Sequence, residues 1–271
     1  MASMTPLLLL LWVCVTVSAG VDLQKRIIGG HTCGPEERLY HVRLEIVQGV
    51  NSFRCGGSLI SDRWILTAAH CWEPGETIYA EIGVHQGTGE RVKIQEQPEI
   101  YSEKDKDNKI KSHDIMLLKL DKATTIKPIV LPECLTEPPA GSEVQIAGHG
   151  RSAVDKNMIM LKQYPNTLLC AELNVVSCNS IKVPLFIRHP YENWLCLDQK
   201  GKDSCRGDSG GGLVYKDMIY GIVNGGHPTI ACPGQPVEIK APPEIYTDTG
   251  KNNKERSYDI MQLKLPIPTH I

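Results

Sequence analysis

His41 to Val47 reads HVRLEIV, and its alternation decides the fold class. Val42, Leu44 and Ile46 fall on one face at the two-residue period of a strand, with polar side chains between them. Outward from that stretch the pattern repeats. Arg91 to Gln95 alternates too, and Ile115 to Leu120 and Met218 to Val223 are short apolar runs between polar turns. Gly87, Gly89, Pro138-Pro139, Pro233-Gly234 and Pro242-Pro243 punctuate the chain. No long stretch carries a 3.6-residue period. The spacing predicts an all-β chain, either a barrel or a sandwich.

Bulk properties narrow the class. A chain of 271 residues suits one large domain or two small subdomains. With two Phe in the whole chain, the core must lean on Val, Ile, Leu and Tyr. The formal net charge of −2 and the lack of a basic patch with interleaved aromatics argue against a nucleic-acid partner. Leu7 to Val17 is almost wholly apolar and is followed by Ser18, Ala19 and Gly20. Residues 1–20 therefore read as a secretory signal peptide, too short for a membrane span. The expected location is extracellular, with secretory-granule storage compatible. A short polar segment, 21–26, ends in Lys25-Arg26, and the globular part, 27–271, opens with Ile27-Ile28-Gly29-Gly30.

Ten Cys occur, and Cys14 lies in the leader, which leaves an odd number for the exported chain. Such density in an exported protein implies disulfides plus one leftover thiol. No Cys-x-x-Cys and no Cys/His cluster has zinc spacing, so no metal and no cofactor are expected. Glu81, Glu90 and Glu99 do not by themselves make a calcium site, and no Asn-x-Ser/Thr acceptor occurs. One segment is repeated. Lys106 to Leu120 (KDNKIKSHDIMLLKL) and Lys251 to Leu265 (KNNKERSYDIMQLKL) match at ten of fifteen positions.

Three settings carry chemistry. Gly207-Asp208-Ser209-Gly210-Gly211 places a Ser among glycines, whose exposed backbone N–H groups can cradle an anion. Taken alone, such a loop is usually a flexible turn. Thr67-Ala68-Ala69-His70-Cys71 sets a His beside a Cys after an apolar run. The plain alternative is a buried structural His. Asp114 borders the apolar run Ile115-Met116-Leu117-Leu118, where a carboxylate is costly unless paired. A hydroxyl, a base and an orienting acid are the parts that nucleophilic acyl transfer needs.

Together these motifs resemble the trypsin–chymotrypsin family of serine proteases, over Ile27 to about Thr247. The order His70, Asp114, Ser209 is the family's order, with spacings of 44 and 95 residues. Cys55-Gly56-Gly57-Ser58-Leu59-Ile60 and Trp64-Ile65-Leu66 before TAAHC match the family as well. The resemblance implies two packed six-stranded antiparallel β-barrels. It implies a secreted endopeptidase in which Ser209 attacks the scissile carbonyl and His70 serves as base, then acid. Asp114 would fix the His tautomer, and the N–H groups of Gly207 and Ser209 would form the oxyanion hole. It further implies a zymogen: cleavage after Arg26 would free the Ile27 amine to pair with Asp208. Disulfides Cys55–Cys71, Cys33–Cys170, Cys178–Cys196 and Cys205–Cys232 are implied, with Cys134 left over. The implied partners are protein or peptide substrates, an activating protease and serine protease inhibitors.

The resemblance assigns Asp203 to the base of the substrate pocket, which implies cleavage after Arg or Lys. The pocket then departs from the family. Asn224-Gly225-Gly226 stands where relatives have Ser-Trp-Gly, and Glu244 stands where open pockets have Gly. Two carboxylates, Glu244 and Asp203, would resist joint ionisation at close range. Gly148-His149-Gly150 replaces Gly-Trp-Gly, and the family's closing helix is missing, replaced by an atypical tail over 249–271. Asp259, the copy of Asp114 in that tail, gets no catalytic role. These departures keep an alternative open: a catalytically impaired homologue acting as an extracellular binding module.

Overall fold

The computed structural model describes residues 27, 29–85, 87, 89–133, 137–151, 164, 166–178, 194–199 and 202–225, and the strands 237–240, 246–249 and 255–258. The leader, the segment ending at Arg26, Cys134, Cys232, Gly226, Glu244 and most of the tail lie outside the described residues. Two large antiparallel sheets hold most of the rest. After the short β1 (His31–Thr32), the first sheet contains β2 (His41–Gln48), β3 (Asn51–Leu59), β4 (Trp64–Ala68), β5 (Thr77–Ile82), β6 (Glu90–Lys93), β7 (Glu99–Lys104) and β8 (Ile110–Lys119). Their order is β6-β5-β2-β3-β4-β8-β7.

The second sheet contains β9 (Glu143–Gly148), β10 (Leu169–Val176), β11 (Trp194–Asp198), β12 (Gly212–Tyr215), β13 (Met218–Gly225) and β14 (Val237–Lys240), with β1 at its edge. The order β1-β10-β11-β14-β13-β12-β9, with β10 also paired to β9, closes six strands into a ring. The first sheet has seven strands where six were expected. Its extra length is the β7–β8 hairpin, whose turn is closed by Asp105 Oδ1 accepting from the N–H groups of Asp107 and Lys109, both at 2.9 Å. A separate two-stranded ribbon joins β15 (Tyr246–Thr249) to β16 (Glu255–Tyr258). No α-helix occurs among the described residues.

Each sheet wraps its own core. Val42, Leu44 and Ile46 of β2 are wholly buried, as the alternation requires, and meet Leu59, Ile65, Ile78, Met116 and Leu118. The second core joins Ile27, Ile146, Leu173, Leu197, Leu213 and Val223. Ile, Leu and Val dominate both. Tyr contributes less than the composition suggested: Tyr220 is the one tyrosine in the buried core of the described residues. The barrels meet where Gly56 of β3 donates its N–H to the Ser209 carbonyl at 2.7 Å. A Cβ on Gly56 would lie 2.9 Å from the Gly211 Cα, so only glycine lets the two backbones approach this closely.

Candidate active site

The seam between the barrels collects the sequence-derived site residues. His70 lies in a single 3-10 turn, Ala69–Cys71, directly after β4. A disulfide from Cys71 to Cys55 ties that turn to β3. Asp114 sits on β8 between Ser112, which pairs with β7, and Ile115, which pairs with β4. Its φ is +60°, a left-handed conformation that Asp tolerates better than most residues. The kink takes its carboxylate out of the ladder and toward His70.

Both carboxylate oxygens of Asp114 are used. Oδ1 accepts the His70 backbone N–H at 2.7 Å, and Oδ2 lies 2.8 Å from His70 Nδ1. The Asn224 amide of β13 also donates to Oδ2. An ionised Asp114 is acceptor-only, so it selects the His70 tautomer with the proton on Nδ1 and leaves Nε2 as a base. The His70 side chain is 42% exposed and that of Asp114 13%, so the acid is shielded while the imidazole faces solvent.

Ser209 adjoins this pair from the second barrel. Its carbonyl oxygen lies 3.7 Å from Cys71 Sγ, next to His70. Its hydroxyl donates to the Asn224 carbonyl at 3.4 Å, and no hydrogen bond joins Ser209 Oγ to His70. Asn224 thus touches both ends of the constellation, Asp114 through its side chain and Ser209 through its backbone. The loop around Ser209 is tightly specified. Asp208, Gly210 and Gly211 each spend their N–H on a backbone carbonyl. Among the described residues, the N–H groups of Gly207 and Ser209 donate to no acceptor. Gly207 has φ +103°, which glycine alone adopts without strain.

Asp208 is wholly buried. Its carboxylate accepts from Gly150 N at 2.7 Å and Cys205 N at 2.8 Å. A Cβ on Gly148 or Gly150 would come within 2.0 or 2.3 Å of its oxygens, so Gly148-His149-Gly150 is a cradle shaped for this carboxylate. Burial pushes the Asp208 carboxyl up to about 6, against the pull of the two N–H groups. Ile27 is fully buried in the second core, which places the chain at the start of the globular part inside that barrel.

Between the Gly residues of the cradle, His149 points into the interior and meets His41, with ring centroids 5.3 Å apart. Burial pushes His149 down to about 3. The Asn166 backbone weakly favours its charged form, yet neither ring nitrogen completes a hydrogen bond. His41 is pushed well down by burial and by His149. The sequence pattern gave no sign of this pair, because His41 reads as the polar start of a strand.

Asp203 is buried; Gly226 and Glu244, the other pocket residues, lie outside the described residues. Disulfides join Cys33 to Cys170 and Cys178 to Cys196 as well as Cys55 to Cys71. Cys205 is disulfide-bonded too, while Cys232 lies outside the described residues. Glu81 is engaged by Arg43 and Arg91 and so is committed to cations of the chain itself.

Comparison with known proteins places the chain in one family. The trypsin family model matches residues 27–251. Venom plasminogen activator GPV-PA of Trimeresurus albolabris is 32% identical over 82% of this chain and 82% of its own length. Snake venom serine protease 3 of Protobothrops jerdonii is 33% identical, with 82% and 84% covered. Serine protease 1 of Homo sapiens is 32% identical, with 82% and 88% covered. Among the described residues no helix is long and apolar enough to cross a membrane.

Proposed function

Because the chain belongs to the trypsin family of serine endopeptidases, we propose that it hydrolyses peptide bonds through His70, Asp114 and Ser209, cutting after Arg or Lys. The observation that carries this reading is the two-point grip of Asp114 on His70, at 2.7 and 2.8 Å. That grip holds Nε2 as a base while Ser209 stands beside Cys71. In the reaction Ser209 turns its hydroxyl from the Asn224 carbonyl to His70 and attacks the scissile carbonyl. His70 takes the proton and returns it to the leaving amine. The vacant N–H groups of Gly207 and Ser209 hold the oxyanion, an interaction worth about 3–4 kcal/mol per donor in related chemistry. Water then repeats the sequence on the acyl-enzyme. Asp203 supplies the negative charge that selects a basic side chain before the cut bond.

The protein is made as a secreted zymogen. The 1–20 leader directs export, and the bridges Cys33–Cys170, Cys55–Cys71 and Cys178–Cys196 support an oxidising destination. Cleavage after Arg26 by an activating protease frees the Ile27 amine. That cation offsets the burial cost of the Asp208 carboxylate, which has two N–H donors but no cation among the described residues. Substrates are proteins or peptides, and serine protease inhibitors that present a basic residue fit the same pocket.

The test is hydrolysis of peptides bearing Arg, Lys, Leu or Phe before the cut bond, by protein cleaved after Arg26. Cleavage after Arg and Lys that falls by at least two orders of magnitude in Asp203→Ala supports the assignment. Preference for Leu or Phe overturns the pocket assignment, and no hydrolysis of any peptide favours the binding-module alternative.

A further inference from the structure

The repeated segment of the chain is left unused by the reaction above. At an offset of 145 residues the likeness begins well before Lys106. Pro98 to Leu120 reads PEIYSEKDKDNKIKSHDIMLLKL, and Pro243 to Leu265 reads PEIYTDTGKNNKERSYDIMQLKL, identical at 14 of 23 positions. The fold repeats with the sequence. β7 pairs with β8 through Ser102↔Ser112, Glu103↔Lys111 and Lys104↔Ile110. β15 pairs with β16 through Thr247↔Ser257, Asp248↔Arg256 and Thr249↔Glu255, the same three pairs at the same offset. The ribbon is therefore a second β7–β8 hairpin, in register as well as in sequence.

The two hairpins differ in having a seat. β8 lies against β4 from Trp64↔Lys119 to Ala68↔Ile115 and buries Ile115, Met116, Leu117 and Leu118. Among the described residues β15 and β16 pair only with each other, and a lone two-stranded ribbon is marginally stable in water. The sequence after β16, Asp259-Ile260-Met261-Gln262-Leu263-Lys264, matches Asp114-Ile115-Met116-Leu117-Leu118-Lys119 at all but one position. The copy is also tethered near the seat. β14 pairs with β13 at Val223↔Ile239 and Gly225↔Glu238, and Asn224 between them donates to Asp114. Residues 241–245, which span about 20 Å when extended, join β14 to β15.

Resting on the peptidase reading, we propose that 243–265 is a spare strand pair for the β4 seat of its own chain, exchanging with 98–120 and bringing Asp259 to His70 in place of Asp114. Exchange of near-identical elements costs little, so the few positions that differ set the balance. Leu117 is 5% exposed, and Gln262 in its place buries an amide. The resident hairpin therefore dominates in the unaltered protein, and the exchanged arrangement is the minor state. In that state Asp259 is a positioning residue that acts through the His70 tautomer. By the same offset Glu244 is the copy of Glu99, the first residue of β7, which takes it out of the substrate pocket.

The experiment reads exchange and activity separately. Leu66 and Leu117 are register partners across β4 and β8, and such partners lie within disulfide reach. Leu66→Cys with Leu117→Cys is therefore the control that links in the resident arrangement. Leu66→Cys with Gln262→Cys is expected to form a disulfide between the introduced thiols under mild oxidation, mapped by peptide mass in protein of monomer size. No link where the control forms, or a link that joins two chains, overturns the proposal whatever the peptidase does. Kinetics on cleaved protein read the second part. Loss of the orienting acid costs about four orders of magnitude in kcat, so an exchanged population of about 0.1% stands roughly tenfold above that floor. Asp114→Ala is expected to exceed the Asp114→Ala, Asp259→Ala double variant by about that factor, and Gln262→Leu added to Asp114→Ala raises the rate again. Equal rates with and without Asp259 overturn the proposal. If no form cleaves a peptide, the peptidase reading has failed, and the cross-link alone decides the exchange.

Discussion

At the residue scale, Asn224 is the residue that turns three separate groups into one site, through its side chain on Asp114 and its backbone on Ser209. Its side-chain amide supplements the two His70 donors on Asp114, and its backbone carbonyl accepts the Ser209 hydroxyl. Loss of one hydrogen bond to a charged group costs about 1.5–3 kcal/mol. Asn224→Ala is therefore expected to lower kcat/KM at least tenfold, chiefly through kcat, with Asn224→Ser recovering part of the loss. Asn224→Asp sets a second carboxylate against Asp114, so the acid limb of the rate profile should move to higher pH. Steady-state kinetics across pH check both. His70, Asp114 and Ser209 were legible because each sits in a local sequence setting. Asn224 was legible only as a departure at the pocket wall, since its partner lies 110 residues away. His41 was read for its strand period, which says nothing about a buried ring across the seam.

At the scale of elements, β2 was readable because one face is buried throughout, so a two-residue period had to appear in the sequence. β8 was readable only in part. Ile115 to Leu120 gave the apolar half, but the strand begins at Ile110, where exposed residues pair with β7. The irregularity of the β7–β8 register around Asp114, and the arrival of β4 as a second neighbour from Ile115, leave no mark in the apolar pattern. The turn that carries His70 has only three residues and no side-chain cap. Its position depends on the Cys55–Cys71 disulfide, which closes a loop of sequence separation 16. Replacing both cysteines by Ala should cost about 3 kcal/mol of stability by the loop-entropy estimate. It should lower kcat more than KM, because His70 loses its tether to β3. Urea unfolding and kinetics on the same sample separate the two effects.

At the scale of the molecule, the seam between the barrels sets the response to acid. His149 and His41 are held below their ordinary range by burial, so the unfolded chain binds protons that the native chain does not. Their contribution is lost as pH falls from about 6.5 toward the His149 value of about 3. Asp208 acts in the opposite sense. With its carboxyl raised to about 6, the native chain binds a proton first, and stability is gained as pH falls from there to about 4. Over pH 6 to 4 the His149 loss opposes the Asp208 gain, and His41, held well below its ordinary range by burial, adds a further loss, so acidification is expected to destabilise the fold. Urea midpoints of the uncleaved protein should fall accordingly, and His149→Phe should flatten the dependence. Midpoints that rise on acidification would show that the histidine pair is not neutral in the native state. The all-β class was legible from strand rhythm, and the two-barrel architecture only through the family resemblance that the motifs carry. The seam was not, because Gly56, Gly211, His41 and His149 meet only after both barrels have closed.

The central claim is that Ser209 is a nucleophile readied by His70 once the chain is cut after Arg26. The most direct measurement is labelling with a fluorophosphonate followed by peptide mapping, on cleaved protein, uncleaved protein and cleaved His70→Ala. The account expects near-stoichiometric label on Ser209 in the cleaved protein and very little in the other two. Absence of label after verified cleavage, or equal label on the His70→Ala protein, would contradict it.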